Sequence, residues 1–142
     1  MMNNNNFEVI SLSELEIGNW VSLKLKNTQS LNLAYVKNVD TFGMSDFQMI
    51  DMNSEYIEKI VGVPLTCEWL QYFGFRPFPT YNNFLCLRIG DGNGIVVEID
   101  KNENIVKTHI IENGNERIHN CKYVHKLQQN ISFLTIIKET SI

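Results

Sequence analysis

The sequence predicts an α+β protein, and three observations carry that reading. Short β-branched runs at 84–89, 95–99 and 105–111 are separated by turns rich in Gly, Asn and Asp, the pattern of antiparallel hairpins. The stretch 63–75, V-P-L-T-C-E-W-L-Q-Y-F-G-F, carries both start and stop signals of a short helix. Near the end, Val124, Leu127, Ile131 and Leu134 recur at i, i+3, i+7 and i+10, one face of a helix. The expected architecture is a small SH3-like curled sheet, a short central helix, an antiparallel three-stranded meander and a C-terminal helix. All of it reads as one compact domain over 1–142, divisible into an SH3-like lobe at 7–63 and a second lobe at 64–142.

The elements follow in order. Residues 1–6 are Asn-rich, lack the charge and apolar stretch of a targeting segment, and read as a frayed tail. Residues 7–12 read as extended, and 13–16 as one helical turn capped by Ser13. After Ile17-Gly18-Asn19, residues 20–25 alternate as a strand with Trp20 as an anchor. A polar turn at 26–30 leads to a half-buried strand at 31–39. Asp40-Thr41-Phe42-Gly43 reads as a turn, and 47–52 and 56–61 as weaker strands split by Asn53-Ser54-Glu55. Many short strands with brief connections point to a curled sheet or barrel.

The central helix is the best-specified segment. Thr66 is its N-cap, because the hydroxyl can accept from a free N–H of the first turn. Leu65 and Leu70 can meet as a hydrophobic staple. Glu68 complements the helix dipole, and Gly74 can adopt the left-handed conformation that lets Phe75 fold back on Leu70. Two turns are too few to persist alone, so Trp69, Leu70, Phe73 and Phe75 are the expected core anchors. Residues 76–80, with Pro77 and Pro79, read as a stiff extended connector. Asn113-Gly114-Asn115 reads as the end of the sheet. Asn120 is the expected cap of a final helix from about 121 to 138, with Tyr123 beside its apolar stripe.

Composition narrows the function classes. A hydrophobic fraction of 44% excludes wholesale disorder. The net charge of −4 argues against duplex nucleic acid, whose phosphates require Lys and Arg. No apolar run approaches the ~20 residues of a membrane span. Cys67, Cys86 and Cys121, without a CxxC pair or a signal peptide, point to free thiols in a reducing cytoplasm.

Three motifs stand in order: Glu14-Leu15-Glu16-Ile17-Gly18-Asn19-Trp20-Val21, Val63-Pro64-Leu65-Thr66-Cys67-Glu68-Trp69-Leu70 with Phe73-Gly74-Phe75, and Lys122-Tyr123-Val124-His125-Lys126-Leu127-Gln128. Together they resemble a family of small uncharacterised proteins encoded by phages and prophages of gut Bacteroides-type bacteria. Cys67 stands where that family carries an acidic residue, and Gln129-Asn130 where it has Asn followed by an apolar residue. The resemblance implies an intracellular phage or prophage setting and assigns no activity and no catalytic residue.

Several constellations bear on chemistry. His119, Cys121 and His125 are three metal-ligand types close in sequence, but zinc wants a fourth ligand and no second Cys/His pair lies nearby. They are read as helix residues, with His125 seating the helix by a hydrogen bond. Asp100-x-Asn102-x-Asn104 opens like a calcium loop, yet Ile105 stands where Gly is needed and Ile111 where a bidentate Glu is needed. Gly90-Asp91-Gly92-Asn93-Gly94 lacks the Lys and the following helix of a phosphate cradle and reads as a hairpin turn. Cys67, at the first helical position, has the dipole most favourable to a lowered thiol pKa. Arg76 and Arg88, with Phe75, Phe78, Tyr81 and Phe84 nearby, form a candidate aromatic-basic platform.

The sequence therefore points to a non-enzymatic accessory protein that binds a host or phage protein, self-association into a homo-oligomer included. The alternative is a binder, or sponge, of a nucleotide-like small molecule at the lobe junction through Arg76, Phe78, Tyr81 and Arg88. A virion or assembly component is the third reading. No catalytic residue, metal, cofactor or membrane partner is expected, and the expected location is the cytoplasm of the infected or lysogenic host.

Overall fold

Period-two burial organises most of the chain, and the two helices supply the rest. The structure, a computed structural model, describes residues 8–38, 41–44 and 51–140. Among these residues the chain is α+β, with two antiparallel five-stranded sheets and two α-helices. It divides into two compact units, Met1–Val63 and Pro64–Ile142.

In the first unit, β1 (Trp20–Leu25), β2 (Leu31–Asn38), β3 (Thr41–Met44), β4 (Asp51–Asn53) and β5 (Ile57–Val61) stand in the order β4-β3-β2-β1-β5. Trp20 pairs with Tyr35 and Val21 with Ala34, so Val21, Leu23, Ala34 and Val36 share one face. All four are buried, and Ile10, Phe42, Met44, Ile57 and Ile60 complete the cluster. Residues 40–43, expected to turn, instead enter β3 from Thr41 onward. The signal misread there was Gly43: it lies opposite Tyr35, and a Cβ would collide with that ring. Trp20 is half-buried on the opposite face, edge-on to Tyr35 at 5.3 Å. The turn expected at 13–16 is a 3-10 turn at Leu12–Glu14 whose cap is Ser11, not Ser13; the Ser11 N–H donates to Glu14 Oε1 at 3.3 Å. A second 3-10 turn, Ser54–Tyr56, leads into β5. Val9 bridges Val61, which holds the lead-in extended. The expected strand at 47–52 lies outside the described residues except for its end, which is in β4.

In the second unit, β6 (Arg76–Phe78), β7 (Tyr81–Gly90), β8 (Asn93–Ile99), β9 (Ile105–Glu112) and β10 (Asn115–Ile118) stand in the order β10-β9-β8-β7-β6, with α1 (Cys67–Tyr72) and α2 (Val124–Thr140). Two of these strands were not expected. The connector at 76–80 supplies β6, with Arg76 opposite Cys86 and Pro77 opposite Leu85. An edge strand tolerates Pro77, which has no N–H to donate. Asn113-Gly114 does not end the sheet. Positive φ at both residues (51° and 83°) makes a tight hairpin turn into β10. That tip braces its neighbour: the Gly114 N–H donates to the Gly92 carbonyl and the Asn113 N–H to Asn93 Oδ1, both at 2.8 Å.

The caps of α1 follow from its sequence. The Trp69 N–H donates to Thr66 Oγ1 at 3.3 Å. At the other end the Phe75 N–H donates to the Leu70 carbonyl and the Gly74 N–H to the Gln71 carbonyl, with Gly74 at φ 94°, a Schellman closure. Cys67, Leu70 and Phe75 are buried. Trp69 and Phe73 are not the plugs expected of them. Both are half-buried and stack on each other at 5.8 Å beside an exposed Tyr72, because the core side of two turns has room only for positions 67 and 70.

The C-terminal helix starts at Val124, later than expected. Asn120 is not its cap, since Asn120 Oδ1 accepts the Thr108 N–H at 3.1 Å and so joins the sheet. The Leu65 N–H donates to the Lys122 carbonyl and Pro64 bridges Tyr123, which keeps 121–123 extended. From Val124 onward the helix packs on β7 and β8, burying Val124, Leu127 and Leu134 completely. His125 is fully buried, its ring stacked on the half-buried Tyr123 at 6.0 Å.

Candidate functional site: the open face of the C-terminal sheet

Strand alternation gives this sheet two faces with different fates. Leu85, Ile95, Val97 and Ile110 point to the side covered by α2 and are buried. Their neighbours must point the other way. Register aligns Arg76, Cys86, Val96, His109 and Ile118 in one row across the five strands. Phe84, Glu98 and Lys107 form the next row, and Ile111 stands opposite Glu116.

This face is hollow. A concavity of about 550 Å³ is lined by Phe78, Tyr81, Phe84, Val96, Glu98, His109, Ile111 and Glu116. A smaller hollow of about 310 Å³ shares Phe78, Val96 and Ile111 and reaches the hairpin tip past Cys86 and Arg88. The rings meet as a corner: Phe78 and Tyr81 lie 6.2 Å apart at 47°, Tyr81 and Phe84 6.0 Å apart at 79°. Tyr81 is 57% exposed and Phe78 37%, so the corner opens to solvent.

The charge on the walls is negative. Glu98 is half-buried, and among the described residues no cation stands within ion-pair distance of it. Glu116 Oε2 is 3.6 Å from His109 Nδ1, too far for a hydrogen bond. Among the described residues neither ring nitrogen of His109 has a hydrogen-bond partner, and both are closed to water.

Of the residues proposed from sequence, Phe78 and Tyr81 come together in the larger hollow. Arg88 reaches only the smaller one, where it pairs with the exposed Asp91 at 3.0 Å. Arg76 is exposed on the edge strand β6 and lines neither. Phe75 is in the core. The rings of the expected platform are therefore assembled without its cations, and carboxylates take their place. Glu98, His109 and Glu116 were missed. The signal was present for two of them: once the strands at 84–89, 95–99 and 105–111 are paired through their turns, alternation sets Glu98 and His109 on the face of Phe84.

The thiols away from this face are poorly placed for nucleophilic chemistry. Burial, and then the carboxylates of Glu103, Glu68 and Asp100, push the Cys67 thiol up, overriding the dipole, and its Sγ donates to the Glu103 carbonyl at 3.3 Å. Burial pushes Cys121 up to about 11, against an opposing hydrogen bond from Asn130. Among the described residues no group of three or more His, Cys, Asp or Glu could hold a metal. His119 is exposed beside Arg117, whereas Cys121 and His125 are buried. The calcium-like loop satisfies itself, with Asp100 Oδ1 accepting the N–H groups of Asn102 and Asn104 at 2.8 and 2.9 Å. Those bonds hold the Asp100 carboxyl below the usual range. Among the described residues no helix is long and apolar enough to cross a membrane.

No family model, curated protein or solved structure matches this chain.

Proposed function

We propose that this chain is a non-enzymatic binding protein, a phage or prophage accessory factor that engages a host or phage protein through the open face of its C-terminal sheet. One observation carries the reading: the three-ring corner of Phe78, Tyr81 and Phe84 lines a hollow on a sheet whose opposite face α2 already covers. Exposed apolar concavities of this kind mark binding sites more often than structural surfaces. The raised thiols of Cys67 and Cys121 support a non-catalytic role for those two groups. The nucleotide reading ranks lower, because Glu98 and Glu116 in the wall would repel a phosphate. Self-association through the same face, or assembly into a particle, are further forms of the proposal, set in the host cytoplasm.

The finer architecture belongs to the same proposal. We read the first unit as an SH3-like curled sheet, supported by the order β4-β3-β2-β1-β5 and by the 3-10 turn entering β5. The sequential pairing of β7, β8 and β9 supports the meander reading.

The test is retention of proteins from phage-infected host cells on the tagged full chain and on its Tyr81→Ala variant. A stoichiometric partner held by the wild type and lost by a variant of unchanged melting temperature supports the proposal. A wild-type chain that retains nothing, or a partner held equally by both, refutes it.

A further inference from the structure

The chemistry of the hollow says more about its occupant. We infer that it receives the protonated side chain of a lysine or arginine carried by the partner protein. This rests on the open face being the binding surface, and it adds the identity of the group that enters.

Three features converge. Tyr81 and Phe84 stand nearly perpendicular, and Phe78 closes the corner, so a cation inserted there meets more than one ring. Ring faces attract cations within about 6 Å of their centroids, and apolar side-chain stems pack on the same surface. Two carboxylates complete the wall, Glu98 and Glu116, while no Lys or Arg lines it. Glu98 is half-buried and has no ion pair among the described residues. Lys107 stands opposite Glu98 in register, yet no ion pair joins them. A half-buried carboxylate facing aromatic rings is an anionic site awaiting a counter-charge. An ammonium or guanidinium on an aliphatic stem satisfies both the rings and the carboxylates. A protein segment is favoured over a free amine because the exposed Ile118 stands in register beside His109 at the rim of the hollow, an apolar side chain that the residues flanking an inserted cation can cover.

The experiment titrates the full chain, followed by amide NMR, with four probes taken to tens of millimolar. They are the N-acetyl methylamides of lysine, arginine and norleucine, and AMP as an anion. The two cationic probes are expected to shift the resonances of Phe84, Glu98 and Glu116, with norleucine and AMP inactive at the same concentration. Glu98→Gln, a near-isosteric change at a half-exposed site, is expected to weaken the cations by about tenfold, the loss of one charge-assisted contact. In the complex, the same substitution should weaken retention of the partner while Tm stays unchanged. Equal shifts from norleucine, shifts from AMP, silence from every probe, or a partner retained undiminished by Glu98→Gln would each overturn the inference. The last of these, with the partner still lost by Tyr81→Ala, separates this failure from failure of the binding-face proposal, where the wild-type chain retains nothing or Tyr81→Ala holds the partner equally.

Discussion

The two faces of the C-terminal sheet are made by the same strands from interleaved residues, yet they do different work. On the side of α2, Leu85, Ile95, Val97 and Ile110 are all less than a tenth exposed, and the helix, with Val124, Leu127 and Leu134 fully buried, packs on β7 and β8. On the other side, Phe84, Val96 and Ile111 are equally apolar but only half-buried, and they share the surface with Glu98, His109 and Glu116. Burying one aliphatic side chain contributes about 1.5–3 kcal/mol, so the covered face holds the unit together and the open face adds less. The contrast teaches that hydrophobicity in a strand marks a buried face only where a second layer exists to cover it. Apolar residues on both faces with one layer on top leave a surface that can be used for binding.

The sharpest way to break this comparison is to cut the covered side. Leu127→Ala removes a fully buried side chain of α2 and should lower unfolding free energy by about 2–5 kcal/mol in urea. A loss below about 1 kcal/mol would mean α2 does not seal that face. The same logic applies to neighbours in α1: Leu70→Ala should destabilise by about 2–5 kcal/mol, and Trp69→Ala, half-exposed, by about 1–2 kcal/mol. If Trp69→Ala proves the larger, the ring is better buried than its surface placement implies. On the open face, Tyr81→Ala should change stability by no more than about 0.5 kcal/mol while abolishing retention of the partner.

Smaller effects sharpen the picture further. A thiol reagent at pH 8 should modify Cys86, half-buried on the open face, before Cys67 and Cys121, whose raised pKa leaves little thiolate. Simultaneous modification of all three would indicate that the unit opens as a whole. The smallest effect belongs to the β8–β9 turn. Asp100 titrates lower in the folded chain than in the unfolded one, so its contribution is complete above the ordinary carboxylate range and fades as pH falls through its folded value. Asp100→Asn should therefore lower the melting temperature slightly near neutrality, where the contribution is complete, and leave it unchanged in strong acid, so that the acid limb of the profile is flatter.

How much of this was legible in the sequence depends on whether the signal was local. The caps of α1 could be read because Thr66 and Gly74 act within their own turn. The hairpin tip at 90–94 was legible for the same reason. What failed was long-range. Gly43 looks like a turn residue until Tyr35 is placed across from it. Asn120 looks like a helix cap until Thr108 claims its side chain. β6 and β10 are short edge strands, one carrying Pro77 and the other all polar but for Ile118, and neither alternates enough to announce itself. The site divided along the same line. Phe78 and Tyr81 stand out as aromatics flanking prolines, but the identity of their companions depends on register. That is why Arg76 and Arg88 were expected in the hollow and Glu98, His109 and Glu116 occupy it instead.

The most direct measurement uses two adjacent residues of one type. Val96 and Val97 are neighbours on β8, one on each face. Urea unfolding of Val96→Ala and Val97→Ala, with partner retention measured on both, isolates the face as the only variable. Val97→Ala should lose roughly 2 kcal/mol of stability and, while folded, keep its partner; Val96→Ala should lose less than about 1 kcal/mol and bind more weakly. If Val96→Ala destabilises as much as Val97→Ala, the face read as open is part of the core, and the division of labour between the two faces is wrong.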